Sequence, residues 1–400
     1  MLTFEQALAQ LLAGARSLQE TEIVPLLEAG GRVLATTLLS TIDVPPHDNS
    51  AMDGYALRCA DVAVAGTRLA VAQRIVAGSV GQRLASGSAA RIFTGAPVPA
   101  GADAIVMQEL CVRDHDAAGA VTINHVAQPG EWIRRRGEDI TSGSEILAAG
   151  TRLRPQEIGL AASVGCAELS VRRRLRVALF STGDELTMPG EPLPPGGIYN
   201  SNRFVLAGLL RQLGCVVCDL GIVPDTLAAT RAALRQAADG NDMILTSGGV
   251  SVGEEDHIRP AVTAEGKLDQ WKIAIKPGKP LAFGQVGNAA FIGLPGNPVS
   301  SFITFLLFVR PFILKCQGAA QPDTRSVNLV AGFDWTRPDQ RREFLRARIG
   351  ADGLLELFAN QSAGVLTSTV WSDGLVDNPS GNAIRRGDEV RFLPFSELLN

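Results

Sequence analysis

Apolar positions near the N-terminus recur with the period of an α-helix. They are Phe4, Ala7, Leu8, Leu11 and Leu12. Thr3 and Gln6 have the spacing of a reciprocal capping box, in which each side chain bonds the backbone N–H of the other residue. A second helical pattern runs from roughly Val24 to Leu39. The first forty residues are therefore predicted to form two amphipathic helices.

The pattern changes to short β-like runs near Asp43. Stretches such as RIFTGAPVPAGADAIVMQE and VTINHVAQPGEW are interrupted by glycine or proline, which is typical of strands joined by turns. Helical spacing returns in RPQEIGLAASVG. We therefore predict a helical linking domain formed by residues 1–42 and 140–173, and a β-rich insertion domain of residues 43–139 that interrupts it.

Strands and helices alternate from residue 174 onwards. The apolar runs LRVALF, CVVCDLGIV and DMILTS are separated by helical segments near residues 200–213 and 226–239. This alternation predicts a doubly wound parallel sheet in an α/β domain of residues 174–325. Short strands such as EVRFLPF return in residues 326–400 and predict a C-terminal β domain. The predicted fold class is thus α/β plus β, in several domains.

Composition restricts the functional classes. The chain is 46% hydrophobic and 20% charged with a net charge of -4, which is typical of a globular protein and gives no general attraction for nucleic acid. The segment SSFITFLLFVRPFILKC is broken by Arg310 and Pro311 and is shorter than the roughly 20 apolar residues of a membrane span. We expect a buried helix there, and a cytoplasmic protein without membrane or nucleic-acid partners. Cys215 and Cys218 would point to opposite faces of a strand, so they are interpreted as structural thiols.

Acidic loops follow three of the predicted strands. The loops are STGDE, VPDT and SGGVSVGEED, and they contain Asp184, Glu185, Asp225, Glu254, Glu255 and Asp256. In a doubly wound sheet such loops meet beyond the carboxyl ends of the strands, where ligands bind. Carboxylates gathered there resist joint ionisation, and a Mg²⁺ ion relieves that repulsion while bridging phosphate oxygens. Backbone N–H groups after Gly248 and Gly249 would add anion contacts.

Three lysines follow in QWKIAIKPGKP. Lys272 and Lys276 lie on one face of a predicted strand, and Lys279 follows a Pro-Gly turn. Two unit charges about 4 Å apart repel by about 4 kcal/mol at an effective dielectric near 20, so this cluster favours a bound anion. A solvated edge strand protected by lysines is the alternative.

Two other segments combine polar residues with turns. In FIGLPGNPVSSFITF, Pro298 fits the first turn of a helix after Asn297, so the segment either starts a helix or also shapes a pocket wall. The stretch PPHDNSAMDGYALR gathers Asp48, Asn49, Ser50 and Asp53 around one turn. The four histidines show no metal-binding spacing, which argues against a zinc site or a histidine-based triad.

Seven motifs in order carry a family resemblance. They are DNSAMDGYA, TGAPVPAGADAIVMQE, RRRGEDI, FSTGDEL, TSGGVSVGEED, IKPGKPLAFG and GLPGNPVSSF. Together they closely resemble the MoeA-type molybdopterin molybdenumtransferases, which are related to the E domain of gephyrin. The resemblance covers essentially the whole chain.

The resemblance implies an enzyme that inserts molybdate into adenylylated molybdopterin and releases AMP with Mg²⁺. It also implies a MogA-like α/β domain and a homodimer in which the β insertion of one subunit faces the α/β domain of the other. A MogA-like adenylyltransferase and molybdoenzyme acceptors are the further partners that it suggests.

The resemblance also assigns residues by motif. Asp53, Thr94 and Asp139 would come from the partner subunit. Glu185, Asp225 and Asp256, with the Ser247–Gly249 turn, would form the pterin-nucleotide side of the site. These three acids would also bind the metal, and with Asp53 and Asp139 they form the implied catalytic set. The implied substrate-binding residues are Thr94, Ser247, Gly248, Gly249, Ser251, Lys272, Lys276, Lys279, Pro295, Asn297, Pro298, Arg346 and Ser362.

Two other functions are compatible with parts of the sequence. One is a MogA-like molybdopterin adenylyltransferase, although that class is little more than the α/β domain and lacks the additional domains. The other is a non-catalytic dimeric molybdopterin carrier or scaffold, which would be expected to carry a long linker or a fused partner domain. An assay of AMP release with and without molybdate separates these two functions from that of a molybdenumtransferase.

Overall fold

A computed structural model describes residues 1–113, 119–249, 257–322 and 324–399. Through residue 173 its helices and strands are α1 (Phe4–Ala13), β1 (Thr21–Pro25), β2 (Leu38–Leu39), β3 (Asn49–Ser50), β4 (Gly54–Leu57), β5 (Thr67–Ile75), β6 (Ser88–Ile92), β7 (Ala104–Met107), β8 (Cys111–Arg113), β9 (Ala120–Ile123), β10 (Ile133–Arg134), β11 (Glu145–Leu147), α2 (Pro155–Ser163) and β12 (Glu168–Arg172).

The N-terminal region is mixed α and β, whereas the sequence predicted it to be helical. Helix α1 begins as expected, because Thr3 Oγ1 accepts the N–H of Gln6 at 3.2 Å and Gln6 Oε1 accepts the N–H of Thr3 at 3.0 Å. The second predicted helix, over residues 24–39, is wrong. That stretch holds the end of β1, a 3₁₀ turn at Leu26–Glu28 and β2, and the two strands pair antiparallel with β12 and β11. Pairing with strands far away in sequence thus overrides the local helical period.

The insertion contains a six-stranded sheet in the order β7-β4-β6-β5-β9-β8. One apolar cluster of this sheet includes Leu57 and Val106, and a second includes Ile92 and Ile105. Beside the sheet, β3 pairs antiparallel with β10 and sets Asn49 opposite Arg134. The DNSAMDG motif contains β3 and continues into the loop after it, and the RRRGED motif begins at Arg134 in β10 and continues into the loop after that strand.

The α/β region follows. Its elements are β13 (Arg176–Thr182), β14 (Leu186–Thr187), β15 (Ile198–Tyr199), α3 (Ser201–Gln212), β16 (Val216–Val223), α4 (Leu227–Ala238), β17 (Met243–Ser247), α5 (Ile258–Glu265), β18 (Gly266–Lys272), β19 (Ile275–Lys276), β20 (Pro280–Val286), β21 (Ala289–Leu294), α6 (Pro298–Thr304) and α7 (Arg310–Cys316).

The main sheet has the order β16-β13-β17-β21-β20-β18. Strands β16, β13, β17 and β21 are parallel, as predicted, but β20 and β18 run antiparallel to their neighbours. The sheet is therefore mixed. The connection between β20 and β21 is too short for the crossover that parallel strands require.

The most apolar segment forms a buried helix, as predicted. Helices α6 and α7 are joined by a π-helical turn at Phe305–Val309 into one helix of residues 298–316. By length and composition this helix could cross a membrane, but 94% of its most apolar window is buried inside the protein. The widened turn lies just before Pro311, which has no N–H to donate to a regular helical turn.

The C-terminal β domain is joined directly to the α/β region. Its elements are β22 (Val327–Val330), β23 (Arg342–Ile349), β24 (Leu355–Leu357), α8 (Thr367–Trp371), β25 (Gly374–Asn378), β26 (Glu389–Pro394) and α9 (Phe395–Leu398). Its sheet has the order β19-β23-β25-β26-β22, with β24 also paired to β23. Strand β19 therefore crosses into this sheet, where Lys276 lies opposite Glu343.

Candidate active site

A cavity of about 620 Å³ lies where the carboxyl ends of β13, β16 and β17 meet the start of α6 and the C-terminal domain. We call it the first cavity. Its lining includes nine residues predicted from sequence, namely Glu185, Asp225, Gly248, Gly249, Lys276, Lys279, Pro295, Asn297 and Ser362. It also includes Thr182, Ser300, Arg341 and Gln361, which the sequence did not single out.

The acidic wall comes from two loops. Glu185 follows β13 and Asp225 follows β16, and both line the first cavity. The loops are tied together because Asp184 Oδ1 accepts the backbone N–H of Asp225 at 3.2 Å. Asp256 and Ser251, also predicted for this wall, lie outside the described residues. Within the described ranges, His, Cys, Asp and Glu nowhere form a group of three that could hold a metal ion.

The glycine turn after β17 is required by close packing. Gly248 has φ +90, and a Cβ atom at this position would lie 2.8 Å from the carbonyl oxygen of Thr182. Only glycine therefore lets the turn approach β13. Ser247 does not line the cavity, since it is buried and its hydroxyl lies 3.3 Å from that of Ser181. The hydroxyl of Thr182 is buried and has no hydrogen-bond partner among the described residues.

The wall at the start of α6 combines a rigid turn with a hydroxyl. Pro295 and Asn297 line the cavity, whereas Pro298 is the first helical residue and does not line it. The turn is held by Asn202, whose amide donates to the carbonyl of Gly296 at 2.7 Å. Ser300, in the first turn of the helix, also faces the cavity. The position of this segment is therefore compatible with both interpretations, namely the start of a helix and the wall of a pocket.

The lysines differ in their surroundings. Lys272 is exposed and does not line the cavity, whereas Lys276 and Lys279 do. Lys276 Nζ lies 3.2 Å from Glu343 Oε1 and 3.4 Å from Asp339 Oδ2. The protein itself therefore supplies anions that neutralise Lys276, a compensation that the sequence did not indicate. Lys279 makes no ion pair within the part of the chain that the structure describes.

Both carboxylates beside Lys276 are held by further hydrogen bonds. Glu343 is fully buried, and its second oxygen accepts the indole N–H of Trp335 at 2.7 Å. Asp339 accepts two hydrogen bonds from the guanidinium of Arg341, at 2.9 and 2.8 Å, and one from its backbone N–H at 3.0 Å. These bonds from Arg341 are the main reason why the pKa of Asp339 lies well below its ordinary value. Lys276 and Arg341, two cations of the cavity, are thus balanced by Glu343 and Asp339 of the C-terminal domain.

Arg346 lies behind the wall of the cavity. It is almost fully buried, and its guanidinium donates to Ser368 Oγ at 3.1 Å and to the carbonyl of Ser362 at 3.2 Å. Burial lowers its pKa to about 10. Gln361 bonds both the N–H and the carbonyl of Arg346, at 2.9 Å each. Arg346 therefore shapes and polarises the wall that presents Ser362 without lining the first cavity itself.

The predicted residues of the insertion lie outside the first cavity of their own chain. Asp53 Oδ1 accepts the N–H and the hydroxyl of Thr94, each at 2.8 Å. The backbone hydrogen bond from Thr94, followed by the one from its hydroxyl, lowers the pKa of Asp53. Asp139 lines a second, separate cavity of about 430 Å³.

Family models match most of the chain in three consecutive parts. The MoeA N-terminal region (domain I and II) matches residues 2–165, a probable molybdopterin binding domain matches residues 178–315, and the MoeA C-terminal region (domain IV) matches residues 328–395. These matches agree with the order of the motifs along the sequence.

Individual relatives belong to the same family. A molybdopterin molybdenumtransferase of Haemophilus influenzae is 41% identical over 100% of both chains, and one of Nostoc sp. is 37% identical over 94% of this chain and 89% of its own. The solved structure of a molybdopterin biosynthesis MoeA protein from Pyrococcus horikoshii superposes with a TM-score of 0.84, at 30% identity, over 98% of this chain and 100% of its own. The chain therefore belongs to the MoeA family of molybdopterin molybdenumtransferases, as its motifs predicted.

Proposed function

We propose that this transferase inserts molybdate into adenylylated molybdopterin at the first cavity, with Mg²⁺-dependent release of AMP. The supporting observation is the lining of that cavity, where loops from distant parts of the chain combine carboxylates, a glycine turn and cations. A substrate with phosphates and a second, oxyanionic substrate need these three kinds of contact.

The acidic wall suits the phosphate end of the substrate. Mg²⁺ is commonly held by one or two protein carboxylates together with substrate phosphates. Glu185 and Asp225 are hard oxygen donors on one wall, so they fit this ion, and Asp256 remains a predicted third donor. When bound, Mg²⁺ would neutralise charge on the phosphoanhydride that is hydrolysed when AMP leaves. The backbone N–H groups of the Gly248–Gly249 turn would hold phosphate oxygens.

Other residues of the lining suit molybdate. Lys279 is its cation without an ion pair in the described residues, and Ser300 and Ser362 contribute hydroxyl groups. Molybdenum insertion forms two bonds from the dithiolene sulfurs to molybdenum, and one molybdate oxygen leaves as water with the two thiol protons. Lys279 would offset the oxyanion charge while the sulfurs approach.

We also propose a homodimer in which Asp53, Thr94 and Asp139 complete the first cavity of the partner. Three apolar side chains of the linking region support an interface, because Leu27, Ile23 and Leu39 are 98%, 65% and 52% exposed. Apolar side chains left in water favour a partner surface. A MogA-like adenylyltransferase would supply the nucleotide substrate, and molybdoenzymes would accept the product.

The test follows AMP release from adenylylated molybdopterin. Release by the purified protein should require both molybdate and Mg²⁺ and should stop when the metal is chelated. Glu185→Gln should lower the rate strongly while the melting temperature changes little, since an exposed substitution usually alters stability by no more than about 0.5 kcal/mol. Normal release by Glu185→Gln would remove this residue from the metal site. Formation of adenylylated molybdopterin from molybdopterin and ATP, with release of pyrophosphate, would instead identify an adenylyltransferase.

A further inference from the structure

The second cavity lies between the two motif-bearing loops of the insertion, beside the β3–β10 ladder. Its volume is about 430 Å³, within the range of small-molecule sites. Its lining combines the apolar Val44 and Pro45 with the polar Asn49, Arg134, Glu138 and Asp139.

The loops around this cavity are fixed by ion pairs of the neighbouring arginines. Arg135 bonds Asp48 at 2.8 Å, and Arg136 bonds Asp43 at 2.5 Å. Asp43 also accepts the N–H of Ser142 at 2.8 Å, and this bond, followed by the one from Arg136, lowers its pKa. Two of the three consecutive arginines therefore have a structural role, which leaves Arg134 for the cavity.

The polar groups of the cavity are incompletely paired. The side-chain oxygen of Asn49 is buried and accepts no hydrogen bond from the described residues. Asn49 and Arg134 are directly opposite in the ladder, so their side chains lie on the same face. Neither Arg134 nor Asp139 forms an ion pair in the described part of the chain. An acceptor amide, a carboxylate and a guanidinium are thus available to one ligand.

This set of groups matches a heterocycle edge with adjacent N–H donors and a nearby carbonyl. The aminopyrimidinone edge of a pterin has this pattern, since its ring N–H and its amino group stand side by side next to the carbonyl. A carboxylate can accept from both N–H groups while a guanidinium donates to the carbonyl. The corresponding edge of adenine sets a donor beside an acceptor, so it matches the carboxylate poorly.

We infer that the second cavity binds the pterin ring of molybdopterin. Asp139 and Asn49 accept hydrogen bonds from the N–H donors of the ring, Arg134 bonds its carbonyl, and the ring lies against Val44 and Pro45. The inference rests on the proposed function in one respect, namely that the phosphates of the same substrate occupy the first cavity of the partner subunit.

The experiment titrates the full-length protein with two probes, fluorescent 6-hydroxymethylpterin and AMP with Mg²⁺. Wild-type protein is expected to bind the pterin with sub-millimolar affinity. Asp139→Asn and Asn49→Leu should each weaken pterin binding at least tenfold and leave AMP binding unchanged. Glu109→Gln, which alters an exposed acid of the same domain, should bind both probes normally. Glu185→Gln in the first cavity should weaken only AMP binding.

Each departure from this pattern has a defined meaning. Normal pterin binding by Asp139→Asn and by the exposed variant Arg134→Gln overturns the inference, as does a wild-type protein that binds no pterin. Loss of pterin binding in Glu185→Gln with retention in Asp139→Asn would move the ring to the first cavity and also overturn it. Selective loss in Asp139→Asn, with AMP binding unchanged in Glu185→Gln, supports the pterin site and contradicts the proposed role of the first cavity.

Discussion

At the scale of residues, Lys276 and Lys279 line the same cavity in different electrostatic surroundings. Lys276 is held by Glu343 and Asp339, whereas Lys279 has no ion pair in the ranges that the structure describes. A lysine whose charge is compensated by the protein adds little net attraction for an anion, while an uncompensated one adds more. We therefore expect Lys276 to maintain geometry and Lys279 to supply attraction for an oxyanion.

The first prediction concerns Lys279→Gln. The change preserves hydrogen bonding but removes the charge, and a charge-assisted hydrogen bond contributes roughly 1.5–3 kcal/mol. The oxyanion concentration needed for half-maximal AMP release should rise about ten- to hundredfold. Excess molybdate should rescue the variant if Lys279 holds molybdate, and excess adenylylated molybdopterin should rescue it if Lys279 holds phosphate.

The matched control is Lys267→Gln, because Lys267 is an exposed lysine on β18 that lies 4.0 Å from Asp269. It should behave as wild type. If the rate of AMP release by Lys279→Gln depends on both substrate concentrations as in wild type, Lys279 does not bind an anion. The lysines would then be interpreted as protecting a sheet edge.

The second prediction concerns Glu343→Gln. Removing a buried negative charge beside Lys276 should lower the KM for molybdate severalfold, because it no longer opposes anion binding. The same change should lower kcat, because the ammonium group of Lys276 loses a partner that positions it. Steady-state AMP release separates the two constants. Glu356→Gln is the control, as this exposed acid pairs with Arg348 in the same domain. A variant with normal KM and kcat would show that the buried carboxylate has no part in the site.

The third prediction concerns acid stability. The pKa of Asp339 is lowered in the folded protein, chiefly by hydrogen bonds from Arg341, from an ordinary value of 3.8. The stability contributed by Asp339 is therefore complete above that ordinary value and is lost as the pH falls towards the lower folded value. Urea unfolding should show that Asp339→Asn destabilises the protein by about 1–3 kcal/mol at neutral pH and by less at pH values below 3.8. Equal destabilisation at both pH values would be inconsistent with this linkage.

At the scale of elements, the N-terminal segment (residues 1–4) holds the lysine-bearing stretch (residues 272–276) in place. Leu2 donates to the carbonyl of Lys272 at 2.9 Å and accepts the N–H of Ala274 at 2.8 Å, while Arg342 donates to the carbonyl of Ala274 at 2.9 Å. Phe4 packs on Phe308, with ring centroids 5.2 Å apart. The stretch that leads into β19 is thus held between the N-terminus and β23.

The fourth prediction follows from these contacts. Deleting residues 1–3 removes two backbone hydrogen bonds, each contributing roughly 0.5–1.5 kcal/mol. Amide hydrogen exchange over residues 272–276 should accelerate about five- to hundredfold, and the KM for molybdate should rise. A peptide from β5 in the insertion should exchange at its normal rate. Unchanged exchange over residues 272–276 would mean that the N-terminal residues do not hold the stretch.

Elements with strong local signals were predictable from sequence. Helix α1 follows from its capping box, and the loops of Glu185 and Asp225 follow from apolar strands that end in acids. The helix expected over residues 24–39 failed because β1 and β2 pair with β12 and β11. Local periodicity carries no information about a partner strand that arrives more than a hundred residues later.

At the scale of the whole molecule, the proposed dimer leads to the fifth prediction. Asp53→Ala and Glu185→Ala should each be inactive alone, because each removes one half of a shared site. Mixing them under conditions that exchange subunits should restore about a quarter of wild-type activity, since half of the dimers are hybrids with one intact site of two. Size-exclusion chromatography should confirm the dimer. Full turnover by a monomer, or no recovery on mixing, would contradict the shared site.

The compensating charges of the site were not predictable from sequence. Asp339, Arg341 and Glu343 sit in an ordinary run of charged residues, RPDQRREF, with no turn or motif to set them apart. Their importance arises only when β23 pairs with β19 and brings Glu343 opposite Lys276. Gln361 and Ser300 were missed for the same reason. The sequence does not show which residues line a cavity, so a single polar residue without a motif cannot be assigned to it.

The crossing of β19 into the C-terminal sheet has a consequence for inheritance. Residues 274–276 and 339–343 are far apart in the gene but adjacent in the protein, so recombination between relatives can separate them. A chimera that receives its α/β region from one parent and its C-terminal domain from the other would join a lysine to carboxylates that were not selected with it. We expect functional chimeras to take both segments from one parent, so that the unit of exchange is the pair of segments and not either domain.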